Sequence, residues 1–441
     1  MAKKNRVVVL MTCFTICTLL VLAKSFQPRA SKSVQAHVLE VNADKQWYRG
    51  NLHTHSLWSD GDNYLEMIAD WYKTHDYDFL CFTDHNILAT NKDRWVDIAK
   101  KNTGSDALKK LKERFPDWTE ERTVDGRTEV RLKTFLEVSA KLAVPGEFLL
   151  IQGEEITDRF GRFPIHMNAS NIQSAIPPLH GESVYETMQN NVNAVIAQRE
   201  RTKKPILMHL NHPNFGYGVT AEDLMRVRGE QFFEVYNGHP GVNNRGDGQH
   251  ASCERMWDII LTKRLAELGL PVMYGLATDD GHKYHNIPSR ASEPGRGWVE
   301  VLCAELTPAA LILAMEQGDF YSSSGVKLKR VSSSRSALKV EVAAEKGVSY
   351  KIEFIGTRLG YDKTSKPVLD NNGKEVNATR IYSDDIGRVL KTVDGPSATY
   401  ELTKDDIYVR AVVTSSKKHP NPSQLGEFER AWVQPAVGTV K

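Results

Sequence analysis

Cysteine is scarce in this chain: five occur in 441 residues, at positions 13, 17, 81, 253 and 303. So few, so widely spaced, exclude a disulfide-stapled small scaffold. Cys81, Cys253 and Cys303 each sit in a largely apolar pattern and read as buried free thiols. An excess of either charge is lacking too. The 57 Lys and Arg stand against 55 Asp and Glu, a formal net charge of +2, and no basic run is dense enough to argue for a nucleic-acid partner. There is no convincing internal repeat, and no low-complexity tract beyond short serine-rich stretches.

One long apolar run does occur, Val7 to Ala23, behind Lys3, Lys4 and Arg6. A basic start, a short apolar core and a small-residue site at Val21-Leu22-Ala23 read as a signal peptide over residues 1–23, hence an exported protein. Left uncleaved, the segment is long enough to act as an N-terminal anchor, the one route to a membrane in this sequence. Residues 24–46 are polar and mixed, as in a linker.

From Trp47 short apolar runs alternate with helical patterns, the rhythm of strand and helix units. Tyr77 to Thr83, Phe148 to Gln152, Pro205 to Leu210, Phe232 to Tyr236 and Pro271 to Thr278 read as strands, and Leu65, Ile68, Ala69 and Tyr72 recur at helical spacing with Asp62 as N-cap. Residues of about 91–145 are charged and helix-favouring, and predict a helical insertion, a candidate lid. Beyond about residue 327 the helical pattern stops; short alternating runs between Gly, Asn and Asp clusters predict an antiparallel, sandwich-like β domain over 327–441.

His53-Thr54-His55 sets two imidazoles on one face of an extended segment, and Ser59-Asp60-Gly61 turns a carboxylate back toward them. Further His, Asp and Glu residues fall at or just beyond other strand ends: His85, Glu155, His166, His212, Asp280 and His282. With His53, His55 and Asp60 these make nine groups of the type that binds zinc, iron or manganese. In barrels of parallel strands the C-terminal strand ends are where catalytic loops gather.

His53-Thr54-His55 with Ser59-Asp60-Gly61, Thr83-Asp84-His85-Asn86, Gly153-Glu154-Glu155, His212-Pro213 and Asp280-Gly281-His282 resemble, in order, the motifs of the polymerase and histidinol phosphatase (PHP) superfamily. The likeness runs from about Trp47 to Gly325, and the tail motifs Tyr408-Val409-Arg410-Ala411 and Ala431-Trp432-Val433-Gln434-Pro435 are similar to an exported, carbaryl-hydrolase-like branch. The resemblance implies a distorted TIM-like (β/α)7 barrel over 47–326 carrying two or three divalent ions. It implies a first ion on His53, His55, Glu155 and Asp280, a second on the far side of Glu155 with His166 and His212, and a third on Asp60, His85 and His282. The family pattern selects Glu155 over Glu154, His212 over His209, and Asp280 over Asp279. The unselected three, with Asp84, Asn211, Glu234 and Asn237, are expected to orient the ligands.

These readings predict a metal-dependent hydrolase of small-molecule esters, with Asp84 or His282 as proton shuttle. A phosphoester is expected first, with Lys283, Arg290, Arg296, Arg159 and Arg162 as candidate cations. A carbamate or carboxylic ester is the alternative, with Trp58, Phe215, Tyr217 and Tyr284 as candidate walls. An exported, non-catalytic metal-containing binding protein is the competing class.

Overall fold

Short apolar or alternating runs form strands, and among the described residues thirteen of them join one sheet. The computed structural model describes residues 37–99 and 104–438; the leader expected at 1–23 lies outside the described residues. In chain order the thirteen are β1 (Gln46–Asn51), β2 (Phe79–Phe82), β3 (Leu149–Phe160), β4 (Phe163–Ser170), β5 (Leu207–Leu210), β6 (Phe232–Asn237), β7 (Tyr274–Thr278), β8 (Trp298–Cys303), β9 (Phe320–Ser323), β10 (Tyr350–Arg358), β11 (Arg388–Asp394), β12 (Asp406–Lys418) and β13 (Phe428–Val437). Their order across the sheet is β7-β6-β5-β4-β3-β2-β1-β8-β9-β13-β12-β10-β11.

The fold is mixed α/β, but the expected barrel of seven parallel strands is corrected: among the described residues the backbone ladder does not close. Pairs β1/β2, β2/β3, β5/β6 and β6/β7 are parallel. The pairs β3/β4 and β4/β5 are antiparallel. The cause is local, since only Gly161 and Arg162 separate the paired Phe160 and Phe163, and Gly161 takes φ +57°. A two-residue loop can only return an antiparallel strand. Side chains, not a further ladder, meet the free edge of β7. Gln434 accepts from Gly275 N (3.1 Å) and donates to Gly275 O (2.9 Å), while Ser322 Oγ accepts from Ala277 N (3.1 Å).

The helices are α1 (Leu65–Thr74), α2 (Gly104–Arg114), α3 (Phe135–Leu142), α4 (Val184–Thr202), the short α5 (Ala221–Leu224), α6 (Cys253–Lys263) and α7 (Pro308–Glu316). The α1 cap is Tyr64, not the expected Asp62, whose Oδ1 instead accepts from Tyr284 N at 3.0 Å. Met188, Val192 and Val195 of α4 share a buried core with Ile156, Ile165 and Met167 of β3 and β4, each such side chain being worth about 1.5–3 kcal/mol when withdrawn from water. The insertion is not purely helical. Asp125 and Gly126, both at positive φ, turn Glu121–Val124 back on Arg127–Arg131, and Trp95–Asp97 completes a three-stranded sheet. This is the chemistry of a tight hairpin turn.

The sheet continues past position 326 through β9, whose Tyr321 pairs with Val433 of β13. A second, four-stranded sheet of His37–Glu40, Leu328–Ser333, Ala337–Val342 and Ser397–Glu401 shares an apolar core with β10, β12 and β13, including Leu338, Val340, Ile352, Phe354, Val409 and Val433. His37–Glu40 lies in the stretch read as linker, yet pairs with Leu328–Ser333. Among the described residues, no helix is long and apolar enough to cross a membrane.

Candidate metal centre

The loop after β1 carries His53 and His55, and two isolated parallel bridges bring other motifs beside it. Thr54 pairs with Gly281, and His85 with Glu155. All nine candidate ligands thereby face one site. His53 Nε2 and His55 Nε2 lie 3.1 Å apart. Each is 3.3 Å from Asp280 Oδ1, and they lie 3.5 and 3.2 Å from Glu155 Oε2. His85 Nδ1 is 2.9 Å from the same oxygen. The other oxygen of Glu155 faces His166 Nδ1 at 3.0 Å and His212 Nε2 at 3.4 Å. Asp60 stands at the mouth, its side chain 57% exposed, 3.4 Å from His282 Nε2 and 3.5 Å from His85 Nε2.

The strand-end expectation holds for some of these residues and not others. Glu155 and His166 lie within β3 and β4, which run on past the site. His212 and Asp280 adopt positive φ, +21° and +51°. Left-handed backbone at non-glycine residues is tolerated where surrounding contacts over-determine it, commonly at functional sites.

Electrostatics shows what the cluster suits. Burial works against a charge on His53, yet Asp280, Glu234 and Glu155 raise its proton affinity well above the ordinary imidazole value. Burial would likewise raise Glu155, but His85, His53 and His166 hold it well below the usual carboxylate range. The rings of His85 and His282 stack on His55 at 4.4 and 4.1 Å, so protonating all three would set like charges face to face. Divalent cations resolve both demands, with imidazoles neutral and carboxylates ionised. The fit has a direct sign: buried His55 Nδ1, His166 Nδ1 and Glu155 Oε2 have no aligned hydrogen-bond partner, a costly state that a bound ion would relieve.

The residues around the ligands divide by hydrogen bonding. Buried Glu234 accepts from His53 Nδ1, Thr278 Oγ1, His212 N and Asn237 Nδ2, each at 2.7 Å. Asn211 Nδ2 donates to Glu155 Oε1 at 2.8 Å. His209 is buried against Glu234, its Nε2 3.4 Å from Oε1. Glu154 points elsewhere, accepting from Ile176 N at 2.8 Å. Asp279 accepts from Arg296 N, Gly297 N and Tyr72 Oη. The Asp84 carboxylate accepts from Ser56 N and Oγ and from Ser59 N and Oγ, so it holds the turn that carries Asp60.

Several expected substrate contacts are redirected. Arg296 is buried and donates to Gly238 O, Glu293 and Asn421. Tyr284 Oη donates to Gly281 O (2.7 Å) and lies 3.1 Å from His55 O, and Trp58 Nε1 donates to Lys133 O. Phe215 does stand by the ligands, its ring centroid 5.1 Å from that of His212 and 6.0 Å from that of His166. His239 joins it, 5.5 Å from His282. Its only sequence signal is its place just beyond β6, the same signal that marks the ligands.

No family model matches the chain, and no curated protein matches it. Among solved structures the chain is similar to a two-domain protein with an inferred PHP-like metal-dependent phosphoesterase from Bacteroides vulgatus, at 13% identity and TM-score 0.37, covering 92% of this chain and 100% of that one. It is also similar to a candidate metal-dependent phosphoesterase from Bifidobacterium adolescentis, at 12% identity and TM-score 0.29, and to an amidohydrolase from Chromobacterium violaceum with bound sulfate and no metal, at 13% and 0.27. Each of these two matches covers 53% of this chain and 87% of the other.

Proposed function

We propose that the protein is an exported metal-dependent hydrolase acting on phosphoesters. The observation that carries this reading is the placement of Glu155, with one oxygen toward His166 and His212 and the other toward His53, His55 and His85. A carboxylate so placed suits a bridge between two ions, whereas a structural zinc site is normally closed by four ligands. His53, His55, Glu155 and Asp280 would hold one ion, Glu155, His166 and His212 a second, and Asp60, His85 and His282 a third of zinc, manganese or iron. Bound there, divalent ions supply polarisation of the ester oxygen and a water acidified toward neutral pH.

The chain's own groups prepare that chemistry. Glu234 fixes the hydrogen of His53 on Nδ1 and leaves the Nε2 lone pair to the site. The carbonyl of Asp280 lies 2.9 Å from His282 Nδ1, which assigns that nitrogen the hydrogen and turns the His282 Nε2 lone pair toward Asp60. His282 is on this geometry a ligand before it is a proton carrier, and Asp84 a positioning residue. One observation favours a second substrate class, a carboxylic ester or carbamate. Asp60, Glu155 and Asp280 form ion pairs with histidines only, with no Lys or Arg among the described residues, and Phe215 covers His166 and His212.

Chromogenic phosphomonoesters, phosphodiesters, carboxylic esters and carbamates, offered to the metal-loaded protein, test the reading. Phosphoester turnover lost on chelation and in His55→Ala supports it; turnover of carboxylic esters or carbamates alone selects the second class. A folded, metal-loaded protein inert toward the whole panel overturns both in favour of an exported binding protein. Asp60→Ala should lose one ion from the stoichiometry, and full retention would remove the third site.

A further inference from the structure

His239 stands at the cluster yet belongs to none of the five ligand groups that the described residues form. Its position is tied to theirs. The backbone N–H of His239 donates to Asn237 Oδ1 at 2.8 Å, and the Asn237 amide donates to Glu234 and Asp280. Gly241 N–H donates to His239 Nδ1 at 2.9 Å. A ring nitrogen that accepts carries no hydrogen, so the neutral imidazole must bear its hydrogen on Nε2.

The seat is built for the ring. A Cβ at position 241 would lie 2.9 Å from Nδ1 and from Cε1, so only glycine lets the imidazole sit against that backbone. The ring stands edge-on to His282 at 5.5 Å and 73°, and to Phe215 at 6.1 Å and 85°. With Nδ1 committed to Gly241, Nε2–H is the donor left over, at a half-buried position on the rim.

We infer that His239 is a substrate-binding residue, whose Nε2–H donates a hydrogen bond to an oxygen of a phosphoryl or acyl group seated between His282 and Phe215. The inference rests on the hydrolase reading of the same site. It assigns the rim a neutral donor fixed in one tautomer, able to follow charge that builds on that oxygen as an ester is cleaved.

Two measurements test it: steady-state kinetics on whichever ester the wild type cleaves, and calorimetric titration of the metal-loaded protein with inorganic phosphate. His239→Ala should lower kcat/KM and weaken phosphate binding roughly tenfold to a hundredfold, the worth of a hydrogen bond to a charged group. His239→Gln, which places an N–H close to Nε2, should recover most of the loss. Gly241→Ala, which displaces the ring, should resemble His239→Ala. Metal content should be unchanged in all three. Wild-type phosphate affinity in His239→Ala overturns the inference, and so does a lost ion, which would make His239 a ligand. If the wild type cleaves no ester the hydrolase reading fails, while the phosphate titration still decides the role of His239.

Discussion

Glu234→Gln is the most informative single change in this protein, because Glu234 holds two candidate ligands at once. Its Oε1 takes the hydrogens of His53 Nδ1 and Thr278 Oγ1, and its Oε2 takes those of His212 N and Asn237 Nδ2, all at 2.7 Å. A glutamine keeps one acceptor and turns the other into a donor. With the NH2 on the Oε2 side, it opposes two N–H groups and loosens the loop that carries His212. With the NH2 on the Oε1 side, His53 Nδ1 must accept, so its hydrogen moves to Nε2 and the lone pair facing the site is lost. Either way a ligand is spoiled at an almost isosteric substitution. Two hydrogen bonds to a charged acceptor are worth about 1.5–3 kcal/mol each, and changes behind a metal ligand commonly cost about 10- to 100-fold in affinity. We expect metal affinity to fall by that factor, read by competition with a chromophoric chelator, while circular dichroism confirms a folded chain. A folded Glu234→Gln protein binding metal as tightly as the wild type would refute the tautomer argument.

Two further predictions concern stability. Burial pushes Glu230 up to about 8 from an ordinary value of 4.5, so the folded chain binds a proton that the unfolded chain has released. That contribution is complete below pH 4.5 and is lost as pH rises to about 8, and Glu230→Gln should remove a fall on the order of 5 kcal/mol across that window in urea melts; an unchanged pH slope would count against it. Arg410 is buried in a two-pronged pair with Asp258 of α6, Nε to Oδ1 and Nη2 to Oδ2 both at 2.7 Å. Arg410→Met strands that carboxylate with Tyr408 Oη as its remaining side-chain donor and should cost about 3–5 kcal/mol in chemical denaturation, with Asp258→Leu in the same chain recovering part; a loss under about 1 kcal/mol would show that the pair is not a determinant.

The choices between neighbouring residues show how much of the site was legible in advance. Glu154 and Glu155 point to opposite faces because side chains alternate along a strand, and only the contacts say which face is the site. Asp279 is drawn away by Tyr72 and the backbone of Arg296 and Gly297, leaving Asp280. His209 lies under Glu234 and His212 beside Glu155. Arg296 illustrates the opposite outcome, since its place near the ligands in sequence suggested a substrate cation and the fold buries it against Gly238, Glu293 and Asn421.

By itself the sequence determined the alternation of strands and helices and the chemical types of the nine candidate ligands, because periodicity and side-chain chemistry are local properties. The turns at Gly161 and at Asp125-Gly126 are local too, although the pattern of residues 91–145 predicts helix across the second. Tertiary structure decided the rest: that the ladder of the described strands stays open, that Gln434 and Ser322 meet the edge of β7, and that Glu155 faces two sets of histidines. It also brought His239, marked in the sequence only by its place just beyond β6, beside the same site. Those outcomes depend on which distant groups share a site, and the free energy that selects them comes from burial and from hydrogen bonds between segments far apart in the chain.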